Sequence, residues 1–201
     1  MKTFGRVLTA MITSFNEDGS VNIENSVAIA EHLLNHGSDG LVVCGTTGEN
    51  PTISRESKIT LFKAIAETCG DKGTIIANVG SNDTKGSVDF VKEVSTIPGI
   101  DGLLVVVPYY NKPNQQGQYL HFKSIAEATT LPIMVYNVPG RVGTGIFPAT
   151  LARLHKEYPH ICAIKEASGN LMIASEIKRL MPGEDFMVYS GDDGLTLPIL
   201  S

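Results

Sequence analysis

The chain is short of cysteine and of charge, and it contains no long apolar run. Three cysteines occur in 201 residues, Cys44, Cys69 and Cys162, far apart and with no Cys-x-x-Cys pair. That spacing argues against a disulfide framework or a zinc ribbon and fits a reducing compartment, the cytoplasm. Charged residues make up 18% of the chain, without a long block of one sign, and the formal net charge is −5. Disorder is therefore not expected, and neither is a nucleic-acid surface, because the lysines are spread out rather than interleaved with aromatics. No apolar stretch approaches the ~18 residues of a membrane span. Thr9, Thr13 and Ser14 interrupt the start too early for a secretory leader. What is present is a chain with 42% hydrophobic residues. That suffices for one sizeable core, and residues 1–201 read as a single domain.

Two kinds of hydrophobic segment alternate. Short runs rich in Val, Ile and Leu read as buried parallel strands near Val7–Ile12, Gly40–Val43, Thr74–Val79, Gly102–Val107, Ile133–Tyr136, Ile161–Lys165 and Phe186–Ser190. Amphipathic stretches between them predict helices over Asn25–Leu34, Glu56–Thr68, Val88–Val94, Tyr119–Ala128, Pro148–Leu154 and Leu171–Leu180. Ser54 is placed to cap a helix start, and Pro148 to occupy a first turn. Gly37, Gly70 and Gly183 follow helical stretches, as C-terminal glycines do. Strand-to-strand intervals of roughly 25–35 residues suit βαβ units.

About seven such units form either an open doubly wound sheet or a closed (β/α)8 barrel. No Gly-x-Gly-x-x-Gly follows the first strand, which weakens the dinucleotide-binding version. Polar residues instead stand just after many different strands, as a barrel requires of its active site. The expected fold is therefore an α/β TIM barrel. A complete one takes roughly 250 residues. The chain stops at Ser201, so the expectation is an incomplete barrel of about seven strands, with the eighth strand and C-terminal helices missing.

Several strand ends carry candidate chemistry. Lys165 closes an apolar run; desolvation there would lower its pKa and leave an amine able to attack a carbonyl. The plainer reading pairs it with Glu166 or Asp192. Tyr136 can pass protons beside such a centre, or sit as a core-edge phenol. Gly45-Thr46-Thr47-Gly48-Glu49 offers hydroxyls and backbone N–H groups for a carboxylate, or is a plain turn; it lacks the lysine of a P-loop. Arg141, on a loop shaped by Pro139, Gly140 and Gly143, can grip a carboxylate with two parallel hydrogen bonds, or stand solvated. Asp192 and Asp193 have no third ligand at metal spacing, so loop polarity or positioning of Lys165 is expected of them. Tyr109 and Tyr110 suit a substrate rim or a subunit interface. His32 and His36 are one turn apart but lack the His-Glu-x-x-His pattern, and read as a solvated helix face.

Five segments in order give these residues a context: Gly45-Thr46-Thr47-Gly48-Glu49, Pro108-Tyr109-Tyr110-Asn111, Tyr136-Asn137-Val138-Pro139-Gly140-Arg141, Ile164-Lys165-Glu166-Ala167-Ser168-Gly169 and Ser190-Gly191-Asp192-Asp193. Together they resemble the dihydrodipicolinate synthase family of pyruvate-dependent Schiff-base lyases, from Gly5 to Leu195. The resemblance implies that Lys165 forms an imine with pyruvate and that Tyr136 passes protons there. It implies that Thr46 links Tyr136 to Tyr110, and that Tyr110 reaches across a tight dimer interface. Thr47, beside Gly45, is implied to hold the pyruvate carboxylate, and Arg141 that of aspartate 4-semialdehyde. The implied reaction serves lysine and diaminopimelate biosynthesis and needs no cofactor beyond the covalent imine. Implied partners are the two small substrates and further copies of the chain, as a homodimer or homotetramer, with no nucleic acid and no membrane.

The chain departs from the family pattern at Val142, where a threonine is usual. Asn82 and Tyr109 match positions that line the family's lysine site, but Gly86 and Lys58 stand where regulated members often carry glutamate and histidine. Weak lysine feedback is the expectation. Two alternatives remain at this point: a related aldolase, such as N-acetylneuraminate lyase or a 2-keto-3-deoxy sugar-acid aldolase, and a non-catalytic fragment that pairs with a full-length partner.

Overall fold

Parallel strands need cover on both faces, and the central apolar runs of this chain receive it, while the first and last strands are half-buried. The computed structural model describes residues 4–183 and 185–201. Strand β1 (Leu8–Ala10) leads to helix α1 (Ile23–Asn35), β2 (Gly40–Val43) to α2 (Arg55–Cys69), and β3 (Thr74–Asn78) to α3 (Thr84–Val94). Then β4 (Gly102–Val106) leads to α4 (Gln115–Ala126), and β5 (Ile133–Asn137) to the single turn α5 (Pro139–Val142) and to α6 (Pro148–Glu157). Strand β6 (Ile161–Glu166) leads to α7 (Leu171–Leu180), and β7 (Met187–Ser190) to α8 (Thr196–Leu200). Every residue of β2, β3, β4 and β5 is buried. The seven strands follow sequence order and pair in parallel, β1 with β2, β2 with β3, β3 with β4, β5 with β6 and β6 with β7, which is the (β/α) barrel class with seven of its strands in this chain.

The chain forms two compact units. The first runs to Val79 and includes Lys92–Leu104. In it β1 pairs with β2 and β2 with β3, in a register that sets Val42 beside Ala10 and Ile76. Helix α1 packs on α2, whose apolar face buries Leu61, Phe62 and Ile65. Ser54 caps α2 as expected, its Oγ accepting the Ser57 N–H at 3.1 Å. Gly70 ends that helix with φ −65°, not in the left-handed conformation expected of a terminal glycine. Space explains it instead, since a Cβ there would lie 2.5 Å from the Ala66 carbonyl oxygen.

The second unit comprises Gly80–Val91 and Val105–Ser201. Here β5 pairs with β6 and β6 with β7, so that Tyr136 stands opposite Lys165 and Lys165 opposite Tyr189. Helix α4 packs on α6, and α6 on α7. The expected loop around Arg141 is a turn of helix. Pro139 supplies a preset first φ, and Gly143, at φ 78°, ends the turn in the left-handed region. Helix α4 begins four residues before the expected start, because Asn114 caps it by accepting the Gly117 N–H at 2.9 Å. The polar Gln115 and Gln118 of its first turn conceal that boundary.

Candidate active site

Lys165 is half-buried near the end of β6, and Tyr136 is buried near the end of β5. Their register pairing puts both side chains on one face of the two strands. The Lys165 Nζ lies 4.7 Å from the centroid of the Tyr136 ring. No carboxylate oxygen of the described residues lies within ion-pair distance of Lys165, so the plainer pairing with Glu166 or Asp192 does not occur. Burial holds the Lys165 amine below its ordinary pKa, Asp193 pulls it back up, and Arg141 lowers it further. A desolvated amine of this kind spends more time unprotonated at neutral pH and is a better nucleophile.

Gly191, after β7, makes room for this lysine. A Cβ there would stand 2.9 Å from Lys165 Cε, 3.0 Å from its Cγ and 2.9 Å from Ala167 Cβ. Arg141 is exposed on α5, free to meet a ligand from solvent. Tyr110 is 89% exposed and adopts φ 70°, a strained conformation for a non-glycine residue. Strain of that kind persists where surroundings or function over-determine it. Asp192 turns inward on its own loop, accepting the Gly194 N–H at 3.1 Å. Among the described residues no group of three His, Cys, Asp or Glu side chains is placed to hold a metal ion.

In the first unit, Gly45, Thr46 and Thr47 form the turn after β2. Gly45 is buried and both threonines are exposed. The turn closes by Gly48 N–H to Gly45 O at 3.0 Å and Glu49 N–H to Thr46 O at 3.1 Å. The Thr46 and Thr47 N–H groups have no backbone partner among the described residues and are available to an anion. Cys44 enters the turn at φ 54°, and the Asn78 side chain holds the Cys44 carbonyl at 2.8 Å. The Cys44 thiol is buried and its pKa is pushed up to about 12, so it is no nucleophile.

Asn78, Asn137, Glu166 and Gly191 have no site role in the sequence itself, save Glu166 as a candidate partner for Lys165. A signal exists for the middle two, since a buried strand tolerates Asn or Glu only where each finds a partner. Asn137 and Glu166 are register partners, and the Asn137 Nδ2 donates to Glu166 Oε2 at 2.7 Å.

A barrel with a desolvated lysine at one strand end, packed on a tyrosine at the next, defines a class: (β/α) barrels equipped for carbonyl condensation through an amine. The model of the dihydrodipicolinate synthetase family matches residues 3–201, and the chain belongs to that family. It is 53% identical over 198 residues to a 4-hydroxy-tetrahydrodipicolinate synthase of Desulforamulus reducens, a match covering 98% of this chain and 66% of that protein. Among solved structures, a dihydrodipicolinate synthase of Bacillus anthracis matches with TM-score 0.95 and 43% identity, over 100% of this chain and 68% of that one. The Cyanidioschyzon merolae enzyme with lysine bound matches with TM-score 0.94 and 44% identity, over 98% and 66%. The chain thus spans about two thirds of the length of the curated relatives it matches. Among the described residues no helix is long and apolar enough to cross a membrane.

Proposed function

We propose that this chain carries the Schiff-base machinery that condenses pyruvate with aspartate 4-semialdehyde to 4-hydroxy-tetrahydrodipicolinate. The observation that carries the reading is the half-buried Lys165 amine, 4.7 Å from the Tyr136 ring centroid and without a carboxylate at ion-pair distance among the described residues. The Lys165 lone pair attacks C2 of pyruvate, water leaves, and an iminium remains. The cation acidifies the pyruvate methyl, which loses a proton to give an enamine. The enamine carbon attacks the aldehyde, and the amine of the second substrate then displaces Lys165 and closes the ring.

In this reading Tyr136 carries protons at the imine carbon, with Thr46 and Tyr110 passing them on. Thr47, beside Gly45, holds the pyruvate carboxylate, and Arg141 receives that of the aldehyde. Tyr110 serves at a contact with a second copy of the chain. Its exposure and its strained backbone support that assignment. No metal or organic cofactor enters the scheme. Purified protein should turn over pyruvate with aspartate 4-semialdehyde and leave N-acetylneuraminate intact. Cleavage of N-acetylneuraminate at the faster rate would assign the chain to the sugar-acid aldolases instead.

A further inference from the structure

Tyr136 and Lys165 are register partners on one face of β5 and β6, and Asn137 and Glu166 are register partners one residue on, facing the other way. Glu166 is 2% exposed and Asn137 fully buried. The Glu166 Oε2 accepts the Asn137 Nδ2 at 2.7 Å, and its Oε1 accepts the Ser168 N–H at 2.6 Å. Among the described residues it has no cationic partner. The Asn137 Oδ1 accepts the Ile146 N–H at 3.2 Å, in the segment that follows Arg141. Two backbone bonds complete the cluster: Ala167 N–H to Asn137 O at 2.9 Å, and Gly191 N–H to Glu166 O at 2.7 Å. The Glu166 carboxylate thus ties the end of β5 to the turn after β6, Asn137 extends the link to the segment after α5, and the Glu166 backbone carbonyl holds the glycine that borders the lysine stem. Burying a carboxylate is costly unless its oxygens are engaged, and here one oxygen is taken by the residue next to Tyr136 and the other by the turn that follows Lys165 and Glu166.

We infer that Glu166 is a positioning residue: through Asn137 it holds Tyr136 against the Lys165 amine and ties down the segment that follows Arg141. The inference rests on the Schiff-base reading for its consequence, while the clasp itself is a matter of geometry. Its donor pattern is unusually restrictive. Both Glu166 oxygens face N–H donors, so a glutamine of the same shape must turn an NH2 toward one of them. Asn137 can rotate its amide to meet that NH2, but its own NH2 then faces the Ile146 N–H. The fault moves along the chain of amides without disappearing. Exchanging both residues removes it. In Glu166→Gln with Asn137→Asp, the Gln NH2 donates to the Asp, the Gln oxygen accepts Ser168 N–H, and the second Asp oxygen accepts Ile146 N–H.

The test compares the wild-type chain, E166Q, N137D and the double variant, with thermal melts to report folding. Two readouts are taken: the rate at which borohydride traps a pyruvate adduct on Lys165, and the pH midpoint of Lys165 reductive methylation by formaldehyde, which involves no pyruvate. Loss of one buried hydrogen bond in E166Q should slow trapping by roughly tenfold. It should also raise the methylation midpoint, as water reaches the amine. The double variant should bring both values back toward wild type. E166Q indistinguishable from wild type in both readouts, or a double variant as impaired as E166Q, would overturn the inference. If wild-type protein forms no pyruvate adduct, the Schiff-base reading fails, while the methylation midpoints still decide whether the clasp positions Lys165.

Discussion

At Lys165 two opposite charges act on an amine that burial has already shifted. Desolvation is the largest influence and lowers the pKa; Asp193 raises it and Arg141 lowers it further. The signs give a paired prediction. Borohydride trapping needs the free amine, so its rate climbs with pH through the amine's pKa. Asp193→Asn removes the raising charge and should move that climb to lower pH. Arg141→Gln removes a lowering charge and should move it to higher pH. The pH profile of adduct formation with each variant checks the signs; shifts of the same sign, or none, would contradict this electrostatic picture. Residues of this kind differed in how legible they were. Lys165 and Tyr136 stand out because a polar residue at the end of an apolar run is conspicuous, and Arg141 because proline and glycine shape the segment around it. Glu166 also stood out, but as a partner for Lys165. Adjacent strand residues point to opposite faces, and its carboxylate turns instead to Asn137 and Ser168. Gly191 carried no signal of its own, because its part is to be missing a methyl group where the Lys165 stem passes.

At the scale of elements, the strands were legible to within two residues at each end, because nearly continuous apolar runs mark them. Helix starts were less so. In α3 and α4 the first turns are Thr84-Lys85-Gly86-Ser87 and Gln115-Gln116-Gly117-Gln118, polar sequences that hide a helical boundary although Ser87 and Gln118 are buried. These two helices also hold a deeply buried histidine. His121 on α4 is 3% exposed, and its Nδ1 lies 2.8 Å from the Thr84 Oγ1 of α3. Its Nε2 is buried without a partner. Burial pushes its pKa from 6.5 down to about 4, against a smaller opposing pull from Asp83. The unfolded chain therefore binds a proton that the folded chain refuses. Stability is full above pH 6.5 and is lost as pH falls through the window to about 4. The loss is on the order of 3 kcal/mol across that window. Denaturant melts at neutral pH and at the acid end should differ by that contribution in wild type, and by clearly less in His121→Gln. Equal pH dependence in the two proteins would remove His121 as the cause.

At the scale of the whole molecule, the alternation of strand and helix was enough to favour a (β/α) barrel over a dinucleotide-binding sheet, because the candidate polar residues follow several strands instead of one glycine-rich turn. The seven parallel strands and the match to the Bacillus anthracis structure agree with that choice. Single residues could not identify the family, since each has a common structural role; five short segments in order could. The proposed function stands or falls on one reaction, formation of a covalent imine with a 2-keto acid by the Lys165 amine, kept from full hydration and facing Tyr136. Mass spectrometry of the Lys165 peptide after incubation with pyruvate and borohydride tests it most directly. One reduced pyruvyl group on Lys165 and none in Lys165→Ala is the expected result; folded wild-type protein with no adduct, or with the adduct on another lysine, would contradict the proposal.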